Sequence, residues 1–500
     1  MLSPRLALTA AIAALAAALA PAAAPAANRA VSPDGAWSYF TEPRAVNYEG
    51  RNPRTFVAWL DSRGQIVVSS YDHRTGVRTR AVLRTGERVD DHNNPSILVR
   101  PDGRLLVFYS THRRRNLVYR LSRRPGDATA WRQERRVPTN APGNHGYTYP
   151  NPMWLAREAR PLFLFWRGGG FEPVWATSRD GMSWSPARTL IDGNGQRPYL
   201  VYDSNGQDRI DIAFSDGNPS ETPTSIHYMR YRGGRLEGAD GTEIARLGSA
   251  PIQPSQADVV YSSRSTGVPA WAYDVGVGSD GRPVVLYATF PSATDHRYHY
   301  ARWTGASWIS RQITASGPTI EKAKGDKYYA GGLVLDSRNP SVVYLSRQVG
   351  AVYQVERWQT ATGGLTWTST SITSDERGSY RPVSVQGPSF GNEHDLFWMS
   401  GRYDGWLDFG TAIFTRTDRP GPAANAAFKA IRVRARRFAF RGAHAPQRVW
   451  RFGDGTGRVR GRRVTHTYER PGRYRVTSAV AARGGPRGVY VREVRARAGR

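Results

Sequence analysis

The 500-residue chain contains no cysteine. Disulfides, thiolate catalysis, a lipid-anchored cysteine and cysteine-containing zinc sites are therefore excluded. Helical periodicity is nearly absent beyond the N-terminus. No later stretch approaches the ~20 apolar residues of a membrane span, so no transmembrane segment is expected. Phosphate-binding loops, dinucleotide fingerprints, H-E-x-x-H and G-x-S-x-G motifs are also missing, which removes the common nucleotide, metalloprotease and serine-hydrolase signatures.

What is present begins with a leader. MLSPRLALTAAIAALAAALAPAAAPAANRA carries one early arginine, an Ala/Leu run and small residues suited to cleavage near Ala26. A signal peptide over 1–26 and a secreted, extracellular product are expected. The formal charge is +29, unevenly spread: residues 425–500 hold twenty arginines and one lysine against Asp454, Glu469 and Glu493. Such a surface attracts polyanions such as acidic polysaccharide, although an arginine-favouring genome would produce the same bias. No specific nucleic-acid partner is expected, and the chain reads as a monomer.

Short β-rich runs bounded by Gly, Asp, Asn and Pro fill the middle of the chain. One phrase, a turn followed by an apolar strand, returns seven times: DSRGQIVVSSYD, PDGRLLVFYSTH, ARPLFLFWRGG, GQDRIDIAFSDG, SDGRPVVLYATF, SRNPSVVYLSRQ and NEHDLFWMSGR. Each precedes a further strand candidate, and many units reach a tryptophan turn. Recurrence every ~40–70 residues with about four strands per unit predicts an all-β, seven-bladed propeller over 31–417; a jelly roll or paired sandwiches is the alternative. The turns SRDGMSW and TATGGLTW resemble the Asp-box of BNR-repeat proteins, with Thr362 where Asp is usual. DRPGPAANAA marks a linker over 418–426. Beyond it, VWRFGDG and THTYERPGRYRV resemble the PKD domain, which implies a small Ig-like sandwich over 427–498.

The stretch DDHNNPSILVRPDGRLLVFYSTH places His92 and His112 symmetrically about Asp102. A hairpin about that turn sets Leu98 opposite Leu106 and brings both histidines to the end away from the turn. Strand ends in successive blades meet on one propeller face. Arg167, Asn218, His296 and Arg347 follow strands at that end, and Asn93, Asn94, His145, Tyr147, Tyr149, Arg197 and Tyr199 precede them. Any one of these reads alone as a surface or capping residue; their convergence points to a binding funnel. Arg, His and Tyr without paired carboxylates ill suit glycoside hydrolysis, which needs two Asp or Glu. They suit β-elimination from a uronic acid. A cation on the carboxylate stabilises the developing enolate-like charge, and Tyr or neutral His moves the protons.

At these motifs, with YTYPNP, FWRGGG, RPYLVY, FSDGNP and TDHRYHYARW, residues of about 40–415 resemble the BNR-4 repeat family. That family includes seven-bladed polysaccharide lyases, notably ulvan lyases and enzymes acting on rhamnosyl-glucuronate ends. The resemblance implies that His92, His112 and Tyr199 are active-site residues, that Arg167 neutralises the carboxylate and that Tyr149 is base and acid. The choice of Tyr149 over Tyr147 rests on spacing to Arg167. Asn218 stands where some ulvan lyases carry histidine, and their Cys/His zinc site has no counterpart. No cofactor is expected, and a calcium site stays open. The expected activity is lysis of a uronate-containing, rhamnose-bearing polysaccharide. The alternatives are a sialidase-like hydrolase, for which Arg167 and Arg347 would supply arginines, and a non-catalytic carbohydrate-binding propeller.

Overall fold

A computed structural model describes residues 27–112, 114–138, 141, 143–323, 325–391, 394–417, 428–442, 448–480 and 488–498. The expected leader and linker lie outside the described residues. Among the described residues no helix is long and apolar enough to cross a membrane. The chain divides into two compact units, one of residues 28–416 and one containing residues 417–500.

The larger unit is a seven-bladed propeller, with seven sheets among its described residues. The innermost strands are Ala45–Tyr48, Ser96–Val99, Thr148–Trp154, Tyr199–Ser204, Ala270–Val277, Leu333–Asp336 and Ser379–Ser384, for blades 1 to 7. Each leads antiparallel into an apolar second strand, such as Leu105–Ser110 in blade 2 and Leu162–Arg167 in blade 3, all of whose residues are buried. These strands are covered on both faces by neighbouring blades, so they read as continuous apolar runs rather than alternating ones. Six of the seven recurring phrases are second strands. The first is not: Ile66–Asp72 is the third strand of blade 1, and Arg54–Leu60 is the second. Both hairpins of that blade have a turn followed by an apolar run, so the phrase fits either.

Blade 7 is completed by the first strand of the chain. Ala27–Ser32 pairs with Asp408–Thr417 and closes the ring, which leaves no open edge between first and last blades. The expected lower bound at 31 cuts through this strand. Blade 4 is enlarged to six strands, with Asp258–Tyr261 added beside Ile226–Arg232. In the tryptophan turn of blade 3, Asp180 Oδ1 accepts the Met182 and Ser183 N–H groups at 2.7 and 2.9 Å. In blade 6 the hydroxyl of Thr362 takes that part, accepting the Thr366 N–H at 2.8 Å.

The smaller unit is a sandwich. A three-stranded sheet (Phe428–Arg432, Arg437–Gly442, Arg463–Thr467) accompanies a four-stranded one (Val459–Arg460, Val449–Arg451, Gly472–Val480, Gly488–Ala496). Phe428, Phe438, Phe440, Trp450, Phe452 and Tyr468 form its core. The W-x-F-G-D-G and H-x-Y motifs meet there: His466 stacks on Phe452 at 3.9 Å, and its Nε2 lies 2.6 Å from Asp454 Oδ2.

Candidate active site

The Pro101–Gly103 turn sets the register anticipated from sequence, Leu98 opposite Leu106. Beyond the paired strands, His92 and His112 meet as a stack with ring centroids 4.3 Å apart. Asp90 joins them, its two carboxylate oxygens each 2.8 Å from one Nδ1. Asp91, also buried, faces His92 on one side and accepts from Arg381 and from Tyr403 Oη, the latter at 2.8 Å. Trp406, at the tip of a blade 7 hairpin, sets its edge against both imidazoles.

The two rings carry different charges. Burial disfavours the charged form of His92, but Asp90 and then Asp91 outweigh it and raise its pKa to about 9. Burial and then the His92 charge push His112 down to about 4, against the pull of Asp90. The stack therefore holds one positive charge at neutral pH. With Nδ1 of neutral His112 donating to Asp90, its Nε2 is an acceptor, and an Arg167 N–H donates to it at 3.2 Å.

Arg167 ends the second strand of blade 3. It is 6% exposed. One guanidinium nitrogen reaches the Tyr199 hydroxyl at 3.4 Å; among the described residues the Nε has no partner and no carboxylate pairs with the group. Its guanidinium lies over Tyr149 at 4.8 Å, Phe171 at 5.3 Å and Tyr199 at 5.8 Å. His92 thus pairs with Asp90 and Asp91, and Arg381 with Asp91, whereas Arg167 makes no ion pair among the described residues.

Tyr149 reaches this position through a bulge. The pairing of Thr148–Trp154 with Leu162–Arg167 shifts between Thr148 and Asn151, and Tyr149 sits at φ +60°. A bulge re-aims a side chain, and a left-handed tyrosine is strained. Asn151 clamps the distortion: its amide donates to the carbonyls of Tyr149 and Phe40 at 2.8 and 2.9 Å, and its oxygen accepts the Glu42 N–H. Burial raises the Tyr149 pKa, with Arg167 opposing, so the phenol is un-ionised at rest. Beneath it Phe40, Tyr199, Trp271 and Tyr329 form an aromatic belt around the axis.

Above this cluster is a cleft of about 480 Å³, lined by His92, His112, His145, Arg167, Arg197, Tyr199 and Asn218, with Phe171, Asp326, Tyr329 and Trp406. His145 stacks on Phe171 at 3.8 Å, and Arg197 pairs with Glu221. Asn218 holds a turn, its Oδ1 accepting the Ser220 N–H at 2.9 Å.

Five sequence candidates stand elsewhere. Asn93 spends its amide on the backbone of His112 and Arg88, and Asn94 on Ser38 and Pro95, so both support the loop rather than face the cleft. His296 is buried between Phe290 and Tyr328, with Nε2 3.0 Å from the Lys327 carbonyl. Arg347 pairs with Glu356 at 2.8 Å on blade 6, which removes it from any arginine triad. Tyr147 turns to the far side of its strap, against Trp166 and Arg115. A strand-end position fixes which end of a blade a residue occupies, not which way its side chain points. Sequence reasoning missed Asp90, Asp91, Trp406, Phe171 and Arg381. The two aspartates immediately before His92 were the available signal.

Asp90, His92 and His112 place ligand atoms within 4.8 Å of one another, a spacing compatible with a metal ion. To hold one the donors would have to rearrange, because both Nδ1 atoms lie at hydrogen-bond distance from Asp90 and an Arg167 N–H stands at the remaining His112 nitrogen.

Comparison with known proteins agrees with this architecture. No curated protein matches the sequence. Residues 422–493 match the PKD domain. Among solved structures, an ulvan lyase of family PL25, bound to -[GlcA(1-4)Rha3S]-, superposes with a TM-score of 0.59 at 12% identity, covering 78% of this chain and 96% of that one. The polysaccharide lyase Uly1 gives 0.51 at 12% identity, with 79% and 99% covered. At such identity the likeness establishes the shared fold. Residues 54–316 match the BNR repeat-containing family, and the chain belongs to that family.

Proposed function

We propose that the propeller is an exported polysaccharide lyase that cleaves a uronate-containing polymer of the rhamnose–glucuronate type by β-elimination. The observation that carries this reading is Arg167, a buried guanidinium with no carboxylate partner among the described residues, in the lining of a sugar-sized cleft. An unpaired buried charge costs several kcal/mol unless something compensates it. A substrate carboxylate would do so, in a bidentate geometry suited to guanidinium. The two lyases of similar fold add to this reading, one of them having been solved with a glucuronate–rhamnose sulfate ligand.

In the reaction, Arg167 takes the uronate carboxylate and stabilises the negative charge that develops as the adjacent C5–H bond breaks. Turning to the carboxylate releases Nε2 of neutral His112, which accepts the proton. The electron pair forms the C4–C5 double bond and the C4–O bond breaks. The leaving oxygen takes a proton from Tyr149, whose phenol is held un-ionised. Protonated His92 keeps Asp90 in place and holds His112 neutral at rest, which leaves its Nε2 lone pair available to the C5 proton.

The test is incubation of the mature protein with ulvan, gum arabic and other rhamnose–uronate polymers, following ultraviolet absorbance from the new double bond. We expect the signal to rise with the native protein and to vanish in folded Arg167→Ala and Tyr149→Phe. Reducing ends without absorbance would indicate hydrolysis, binding without either product would indicate a lectin, and near-native turnover in both variants would refute the mechanism.

A further inference from the structure

A second cavity of the propeller is outside the cleft. A groove of about 600 Å³ between blades 2 and 3 is lined by Arg115, Arg136, Pro138, Tyr147, Trp184 and Pro186. The strap that carries His145 divides it from the cleft: Asn144 to Gly146 line the cleft, and Tyr147 lines the groove.

Its chemistry is one-sided. Arg115 donates to the Ala141 carbonyl at 2.8 Å and weakly to Tyr147 Oη; Arg136 donates to Asn116 Oδ1 at 2.9 Å. Among the described residues neither arginine is ion-paired, and each guanidinium has five N–H donors, so most remain for a ligand. No carboxylate is among the described residues that line the groove. Trp184 is packed edge-on by Phe108 and Tyr119, which fixes the indole and leaves it half-buried at the groove wall. Pro138 and Pro186 add walls without N–H donors. A rigid indole suits the C–H face of a pyranose ring. Two guanidinium groups beside it suit a carboxylate or sulfate on that ring.

We propose that this groove is a second carbohydrate-binding site, selective for an anionic pyranose unit. It works independently of the chemistry in the cleft. A polymer held there is retained near the cleft between reactions, because neighbouring residues of one strap line the two cavities, His145 and Gly146 the cleft and Tyr147 the groove.

Titration calorimetry in an Arg167→Ala background tests the site. The probes are a tetrasaccharide of alternating glucuronate and rhamnose 3-sulfate, its desulfated form, and maltotetraose. We expect one remaining site for an anionic probe, weakened at least tenfold by Arg115→Gln/Arg136→Gln, with maltotetraose at least tenfold weaker. Binding of both anionic probes marks carboxylate recognition, and binding of the sulfated one alone marks sulfate recognition. A control pair, Arg157→Gln/Arg246→Gln, removes the same charge elsewhere and should leave affinity unchanged. No residual binding, residual binding insensitive to the groove substitutions, equal binding of maltotetraose, or equal loss in the control pair would overturn the proposal. The absorbance assay on unsubstituted protein reads the lyase function separately, so either can fail alone.

Discussion

Asp90→Asn removes the charge that two stacked imidazoles share. In the native protein this carboxylate is fully buried, accepts both Nδ1–H groups at 2.8 Å and takes the His92 backbone N–H at 3.1 Å. Against burial, which favours the neutral ring, Asp90 is the leading reason that His92 keeps its proton up to about 9. Holding that proton from an ordinary 6.5 to about 9 is worth about 3 kcal/mol. Because the folded-state pKa is raised, the contribution is complete below about pH 6.5 and is lost as the pH rises through about 9. Asparagine keeps the shape, loses the charge and turns its NH2 toward one imidazole N–H. Breaking such a buried pair costs about 3–5 kcal/mol. We expect the variant to be less stable than the native protein by about that much at pH 6, and the gap to narrow by about 3 kcal/mol by pH 10. Urea unfolding of both proteins at pH 6, 7.5, 9 and 10 reads this, since lysines and tyrosines that titrate in both cancel in the difference. A gap independent of pH would refute the charge on His92. A gap below about 1 kcal/mol at pH 6 would refute the shared carboxylate as the element holding the stack.

Arg167→Met should abolish turnover while raising thermal stability by about 1 kcal/mol, because it removes a buried charge that no carboxylate among the described residues pairs; a fall in stability with intact packing would contradict this. Asn151→Ala should cost about 1–3 kcal/mol in denaturant unfolding and lower kcat more than KM, since it frees the Tyr149 bulge without touching substrate; an unchanged kcat would remove its positioning role. In the sandwich, Lys429, Arg441 and Arg463 stand directly opposite one another across three strands. Arg441→Thr should therefore stabilise that unit by a few tenths of a kcal/mol in calorimetry of the full chain, more at low salt than at high; destabilisation would contradict like-charge repulsion.

The repeats were legible because each blade buries its second strand on both faces, so runs such as LLVFYS and LFLFWR stand out between turns. The blade 2 hairpin was legible to the residue because Pro101-Asp102-Gly103 admits few registers. Closure of the ring was not. ANRAVS has no apolar run of its own, and its partner strand lies some 380 residues away. Within the site, His92, His112, Arg167 and Tyr199 follow from strand ends meeting at one axis. Arg347 and His296 satisfy the same rule, yet Arg347 turns outward to Glu356 and His296 inward against Phe290. Direction depends on bulges and local pairing, which one sequence does not display. Tyr149 illustrates the difficulty, since it reaches the cluster only through a left-handed bulge.

Strain and charge concentrate in the same place for a connected reason. Tyr149, Phe171 and Arg381 all adopt positive φ around the cleft, each at a cost of about 1 kcal/mol or more. Arg381 is spent on Asp91. Both oxygens of Asp90 are spent on the two histidines. The guanidinium of Arg167 therefore cannot collapse onto either carboxylate, and among the described residues its hydrogen bonds go to an imidazole nitrogen and a phenol. The histidine stack serves in this arrangement as insulation as much as chemistry. By occupying both oxygens of Asp90, it keeps one cation available for an anion that arrives from solution.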